Sequence, residues 1–358
     1  MAAQFSAQAQ FSMSALTSFG GGDGWLAPGE GGYTFLGTAN NERGMAYGNN
    51  HLYLVSRTGG NFIRILDKLS SADLGFLNTT GVSGGTFAVN KIGVGGDGSV
   101  YVGNLTTQST TSPYKIYKWA TEASTPTVAY TGNGGLAASR IGDSTLATIG
   151  TGSSTRMASG YANSPAVAGN NGYAIIDPTA GTATQVAFAG TPPAAGDFRL
   201  GLTFTDATHV LGNQGSLALV ETSFSGGTGT YLGTGVGLIS IAERAMSFAK
   251  INGMDLLATQ STGDSTVRIY DMSNPLAPLL LASANNTSGA LVANGNGTGD
   301  VVWGDSFSNG DGTSTARLYA MSSNQGIQAF TVIVPEPGTA TLALLGAAAC
   351  LIRRKLRR

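Results

Sequence analysis

The sequence predicts an all-β protein: a β-propeller of six or seven four-stranded blades, followed by a short C-terminal transmembrane helix. Three observations lead there. Glycine makes up 54 of 358 residues while charged residues are only 11%, against about 7% and about 25% in ordinary globular chains. Strand-like runs come in groups of about four, and the groups repeat about every 44 to 60 residues, the period of propeller blades. The end of the chain breaks this pattern with Val334-Pro335-Glu336-Pro337, an uncharged apolar stretch over 338–352, and a basic tail over 353–358.

Residues 1–30 read as a flexible leader. They carry no Lys or Arg and no long apolar run, yet Ala7-Gln8-Ala9 has the small-x-small form of a cleavage site, so an export signal is expected upstream of Met1. Gly20 to Gly24 reads as a linker or turn. The propeller-like domain is expected over 31–333. Tyr33 to Leu36 is the strand expected to close the ring against the last blade.

In the first unit, Arg43 to Tyr47 and His51 to Ser56 flank Gly48-Asn49-Asn50, residues that accept the positive φ of a tight hairpin. Asn61 to Asp67 and Leu74 to Leu77 complete it. The second unit repeats the scheme with Asn90 to Val94, the turn Gly95-Gly96-Asp97-Gly98, Ser99 to Asn104, Tyr114 to Trp119 and Thr127 to Tyr130. The third has Ser139 to Asp143, Ser144 to Ile149, Gly172 to Asp177 and Gln185 to Phe188, with 151–171 read as a long polar insertion. Further units begin near Phe198, Ala245 and Gly299. Ile65-Leu66-Asp67, Ile175-Ile176-Asp177 and Ile269-Tyr270-Asp271 recur at third-strand ends, where Asp starts the turn to the outer strand. Residues 66–76 and 239–250 each have room for a turn or two of helix. The rival architectures are paired β-sandwiches or a β-solenoid, the latter disfavoured by repeats this long and irregular.

Residue types capable of chemistry are scarce. The chain has one Cys and two His, which excludes an internal disulfide and argues against a zinc site of usual ligands. No catalytic or cofactor-binding residue is assigned. Gly81-Val82-Ser83-Gly84-Gly85 fits the nucleophile-elbow spacing but is followed by the extended run Thr86 to Asn90 rather than a helix. Asp305, Asn309 and Asp311 offer oxygens suited to Ca²⁺, but Phe307 breaks the helix–loop–helix ligand pattern, so a hairpin turn is the simpler reading. Trp25, Trp119 and Trp303 are core residues by default and sugar-stacking residues if a face exposes them. Without the five terminal cations the chain has 14 Lys+Arg against 20 Asp+Glu. It has no basic stripe, which excludes nucleic acid as an expected partner.

The apolar stretch 338–352 would span roughly 22 Å as a helix, short of a bilayer core of about 30 Å. The cations Arg353, Arg354, Lys355, Arg357 and Arg358 hold that end in the cytoplasm by the positive-inside rule. Cys350 is filler within it. Val334, Pro335, Glu336 and Pro337, the apolar stretch and the Arg-rich end together resemble the PEP-CTERM sorting signal of exported bacterial proteins. The resemblance implies transient anchoring in the inner membrane, processing by an exosortase-type transpeptidase near Pro335 to Pro337, release to the cell surface, and a host that makes extracellular polysaccharide. It covers 334–358 alone and transfers no activity to the body.

The expected function is that of a non-catalytic binding or structural propeller associated with exopolysaccharide or biofilm. The alternatives are an extracellular propeller enzyme of glycosidase, lyase or lactonase type, and a structural component of a surface layer. Carboxylates converging on the channel would mark the enzyme, and a channel of Ser, Thr, Gly and apolar groups would mark a binding protein.

Overall fold

A computed structural model describes residues 10–135, 139–143, 145–162, 172–188, 198–213, 219–235, 239 and 242–336. The strands are β1 (Ser12–Ala15), β2 (Trp25–Leu26), β3 (Glu42–Gly48), β4 (His51–Ser56), β5 (Phe62–Asp67), β6 (Asp73–Phe76), β7 (Phe87–Val94), β8 (Val100–Leu105), β9 (Tyr114–Trp119) and β10 (Thr127–Gly132). They continue with β11 (Arg140–Ile141), β12 (Ala147–Ile149), β13 (Arg156–Ala162), β14 (Gly172–Asp177), β15 (Thr182–Phe188), β16 (Leu202–Phe204), β17 (His209–Gly212), β18 (Leu219–Ser225) and β19 (Thr228–Gly235). The last are β20 (Glu243–Ile251), β21 (Met254–Ser261), β22 (Val267–Asp271), β23 (Leu279–Ala284), β24 (Gly299–Ser308), β25 (Thr313–Ser322) and β26 (Gly326–Pro335).

These form a propeller-like ring of five sheets. Three are four-stranded antiparallel meanders, β3–β6, β7–β10 and β20–β23. A five-stranded sheet runs β1-β26-β25-β24 with β2 also on β26, and a nine-stranded sheet spans β11 to β19. The first strands of the units stand side by side around the axis, β3 against β7, β7 against β12, β12 against β16, β16 against β20, β20 against β24 and β24 against β3. Hairpin chemistry is as expected: Asn49 and Asn50 take φ of 51° and 64°. Asp67, Asp177 and Asp271 each accept a backbone N–H two residues on, at 3.0, 2.9 and 2.8 Å, and so start the turn to the outer strand.

Several expectations are corrected. Six or seven separate four-stranded blades are not present, because β15 and β19 pair in parallel and fuse two of the units into the nine-stranded sheet. The C-terminal transmembrane helix is not supported either. Among the described residues no helix is long and apolar enough to cross a membrane, and residues 337–358, with Pro337 and the basic tail, lie outside them. Fifteen or so apolar residues also fall short of the about twenty a span needs.

The leader is part of the fold from residue 10 onward. β1 pairs with β26 from Ser12↔Ile333 to Ala15↔Phe330, so this segment closes the ring. Tyr33 to Leu36, given that role from sequence, is turn and coil, and Phe35 and Leu36 are buried. The last strand runs through Val334 and Pro335, with Pro335 opposite Thr313 and Val334 fully buried. The supposed insertion 151–171 contains β13, and the stretches read as possible helical turns are strands β5, β6 and β20. β13 reads MASGYA after its first Arg, and its Ala, Ser and Gly have little β propensity. Its Gly160 is needed because a Cβ there would lie 1.7 Å from the carbonyl oxygen of Phe198.

Apolar side chains pack between neighbouring sheets. Phe19, Leu26 and Leu36 join Leu52, Leu54, Tyr319 and Met321 under the closing strands. Phe19 is fully buried, so Phe19→Ala in the full chain is expected to cost about 3–5 kcal/mol by urea unfolding. A flexible leader would give a change near zero.

Candidate functional site: the two ends of the central channel

The first strands of the units converge on a cavity of about 380 Å³. Its wall is built from Met45 and Tyr47 of β3, Ile92 of β7, Thr148 of β12, Thr203 and Phe204 of β16, Met246 and Phe248 of β20 and Trp303 of β24. Among the described residues no Asp or Glu lines it and the lining cation is Lys250, which Asp255 pairs at 2.6 Å. Tyr47, Thr148, Phe248 and Trp303 are only partly buried and line the cavity. The Trp303 indole N–H is satisfied by the Ser247 carbonyl at 3.1 Å, which fixes the ring. Trp25 and Trp119, with 8% and 0% exposure, are core residues, and their N–H groups donate to Gln325 O and Asn78 O.

Behind the cavity lies a fully buried ion pair. Lys91 Nζ of β7 is 3.5 Å from Asp300 Oδ2 of β24, both side chains being 0% exposed. Lys91 also donates to Gly299 O at 2.8 Å, while Asp300 accepts from Met45 N at 3.0 Å and Thr145 Oγ1 at 2.8 Å. Burial pushes the Lys91 ammonium down and the Asp300 carboxyl up, and each partner's charge opposes the other's shift.

At the opposite end, where the same strands begin, arginines gather around one carboxylate. Asp143 is 1% exposed. Arg140 of β11 binds it through Nε and, at 2.9 Å, through Nη2, and Arg199 binds it at 3.1 Å. Burial would raise the Asp143 pKa, but Arg140, Arg199 and Arg43 outweigh it and hold the carboxyl below its usual range. Arg43 of β3 is 4% exposed, and its Nε is buried with no hydrogen-bond partner among the described residues. Burial holds its guanidinium below the usual range, with Asp143 opposing and Arg140 and Arg199 adding to the shift. Arg244 of β20 feels Arg199 as a like charge. Arg57 stacks on Phe87 at 3.5 Å, and desolvation, followed by Arg43, lowers its pKa to about 10.

Sequence-level candidates fall elsewhere. Asp305 pairs with Lys68 at 2.9 Å. Asn309 Nδ2 donates to Thr313 Oγ1 at 2.7 Å, and Asp311 accepts from Thr313 N at 2.9 Å, so both serve the β24–β25 turn. Among the described residues no group of three His, Cys, Asp or Glu is placed to hold a metal. Ser83 lies in a loop leading to β7. His51 pairs with Glu122 at 2.7 Å and His209 with Asp206 at 2.9 Å, and neither hydrogen-bonds to Ser83. Val334 and Pro335 are locked into β26, and Glu336 N donates to Gly312 O at 3.0 Å. The charged groups around the channel were missed, although a signal was available. Near the start of their units, Arg43, Asp143, Arg244 and Asp300 stand directly beside Gly44, Gly142, Ala245 and Val301, and Lys91 lies two before Gly93.

The sequence profile of a domain of unknown function, DUF4623, matches residues 32–223, more than half the chain. The chain belongs to the DUF4623 family. A DUF4623 family protein from Bacteroides eggerthii resembles it with a TM-score of 0.59 at 18% identity, over 83% of this chain and 71% of that one. A Xanthomonas campestris protein described as a gluconolactonase has a TM-score of 0.50 at 13% identity, over 83% and 87%. A triple arginine mutant of AofleA from Arthrobotrys oligospora has a TM-score of 0.51 at 10% identity, over 92% and 88%. At these identities the likeness is one of fold, and no curated protein matches this DUF4623 chain.

Two outcomes check the electrostatics. Lys91→Met or Asp300→Leu alone is expected to cost about 3–5 kcal/mol by urea unfolding, and the double replacement much less, since only the single changes strand a buried charge. Because the Asp143 pKa is lowered in the fold, its stabilisation is present above the unfolded value of about 3.9 and is lost as pH falls through the folded value. Asp143→Asn is therefore expected to flatten the acid limb of the stability–pH curve.

Proposed function

We propose that this DUF4623 protein is an exported, non-catalytic binding propeller of the cell surface or extracellular matrix, and that its ligand is a neutral sugar unit of an extracellular polysaccharide. The observation carrying this reading is the channel cavity: about 380 Å³, without a carboxylate among its described lining residues, and lined in part by Tyr47, Phe248, Trp303 and Thr148. That volume suits one or two sugar rings, within the range of about 300–1,000 Å³ typical of ligand sites. Aromatic faces cover the C–H face of a pyranose, and threonine hydroxyls serve its OH groups. The lactonase, glycosidase or lyase alternative rested on channel carboxylates, and the described lining residues supply none to support it. Export rests on the Val334-Pro335-Glu336-Pro337 motif and the basic end, with an exosortase-type transpeptidase as the processing partner.

Glycan-array binding of the full chain, with and without Ca²⁺, is expected to select neutral polysaccharides independently of Ca²⁺. Trp303→Ala is expected to weaken that binding about tenfold, given about 0.5–1.5 kcal/mol for ring stacking beyond area burial. Absence of binding to any polysaccharide removes this reading. Replacing Arg353, Arg354, Lys355, Arg357 and Arg358 with neutral residues is expected to block surface delivery, measured by fractionation. Normal processing of that variant would end the export proposal.

A further inference from the structure

The arginine-lined end of the channel is a second site, separated from the cavity by the buried Lys91–Asp300 pair. Arg140 and Arg199 already occupy Asp143, so one carboxylate is shared by two guanidiniums before Arg43 is counted. Arg43 adds a third positive charge on the same carboxylate, and its buried Nε donor is unmet among the described residues. Burying a cation without a hydrogen-bonded counter-charge costs several kcal/mol, and a buried unmet donor costs about 1–3 kcal/mol more. The Arg43 guanidinium lies over the Phe87 ring at 5.4 Å, a contact that leaves its Nε donor unmet, whereas Leu or Met would fill the volume without either cost. The half-buried Arg199 and Arg244, coupled as like charges, widen the positive rim.

We propose that this mouth binds an oxyanion, a carboxylate, sulfate or phosphate group carried by a ligand, with Arg43 and Arg199 as its principal holders. Guanidinium forks match all three groups with parallel N–H···O bonds. The proposal stands independently of the sugar reading of the cavity, because it concerns different residues and a charged rather than a neutral ligand.

The test is calorimetry and thermal unfolding of the full chain with sodium glucuronate, sodium sulfate and sodium phosphate, against NaCl at matched ionic strength and neutral glucose. At least one oxyanion is expected to bind saturably and to raise Tm where NaCl and glucose do not. Glucuronate alone would identify the group as a carboxylate, and sulfate or phosphate alone as tetrahedral. Arg199→Gln is expected to weaken that binding at least tenfold. Arg43→Leu is expected to abolish the oxyanion response while leaving the ligand-free Tm unchanged or higher, the reverse of what a structural arginine gives. The proposal is overturned if no oxyanion differs from matched NaCl, or if Arg199→Gln binds as tightly as the original chain. It is also overturned if Arg43→Leu lowers Tm yet keeps the response.

Discussion

The buried Lys91–Asp300 pair ties the ring together. Lys91 comes from β7, Asp300 from β24, and the pair takes up Met45 N of β3 and Thr145 Oγ1 beside β12. Three strands and the segment leading into β12 therefore meet at one charge centre with no water-exposed alternative. The geometry tolerates little slippage, because any sheet that moved would strand a charge in a medium where that is expensive. The same layer divides the channel, with a neutral, aromatic cavity on one side and a positive mouth on the other.

Close approach of backbones at the axis makes this possible. A Cβ on Gly44 would lie 2.6 Å from Asn90 O, and one on Gly201 would lie 1.7 Å from Arg244 O. Glycine at these two positions is a packing requirement rather than a turn preference. It lets first strands of neighbouring units touch. Ring closure is then completed at the periphery, where β1 and β2 add to β26 and carry Phe19 and Leu26 into the core.

The two ends of the channel divide the functional questions. Fold likeness to a gluconolactonase at 13% identity reflects architecture, and a shared architecture hosts unrelated functions. What separates binding from catalysis is the lining itself. The cavity offers rings and hydroxyls, and the opposite mouth offers guanidiniums whose charge exceeds that of their carboxylate partner.

Local chemistry was legible in the sequence wherever adjacent residues decide the outcome. The Asn49-Asn50 turn and the Asp67, Asp177 and Asp271 turn starters depend on a few neighbours, so the all-β, propeller-like character followed from the chain alone. The parallel β15–β19 junction, the role of residues 12–15 in closing the ring, and strand β13 did not, because each rests on partners far away in the chain. The same holds for the site. No spacing rule brings Arg43, Arg140, Asp143 and Arg199 together, or sets Lys91 against Asp300. Their convergence is produced only when the sheets close around one axis, since electrostatic partnership depends on distance in space and not on order in sequence.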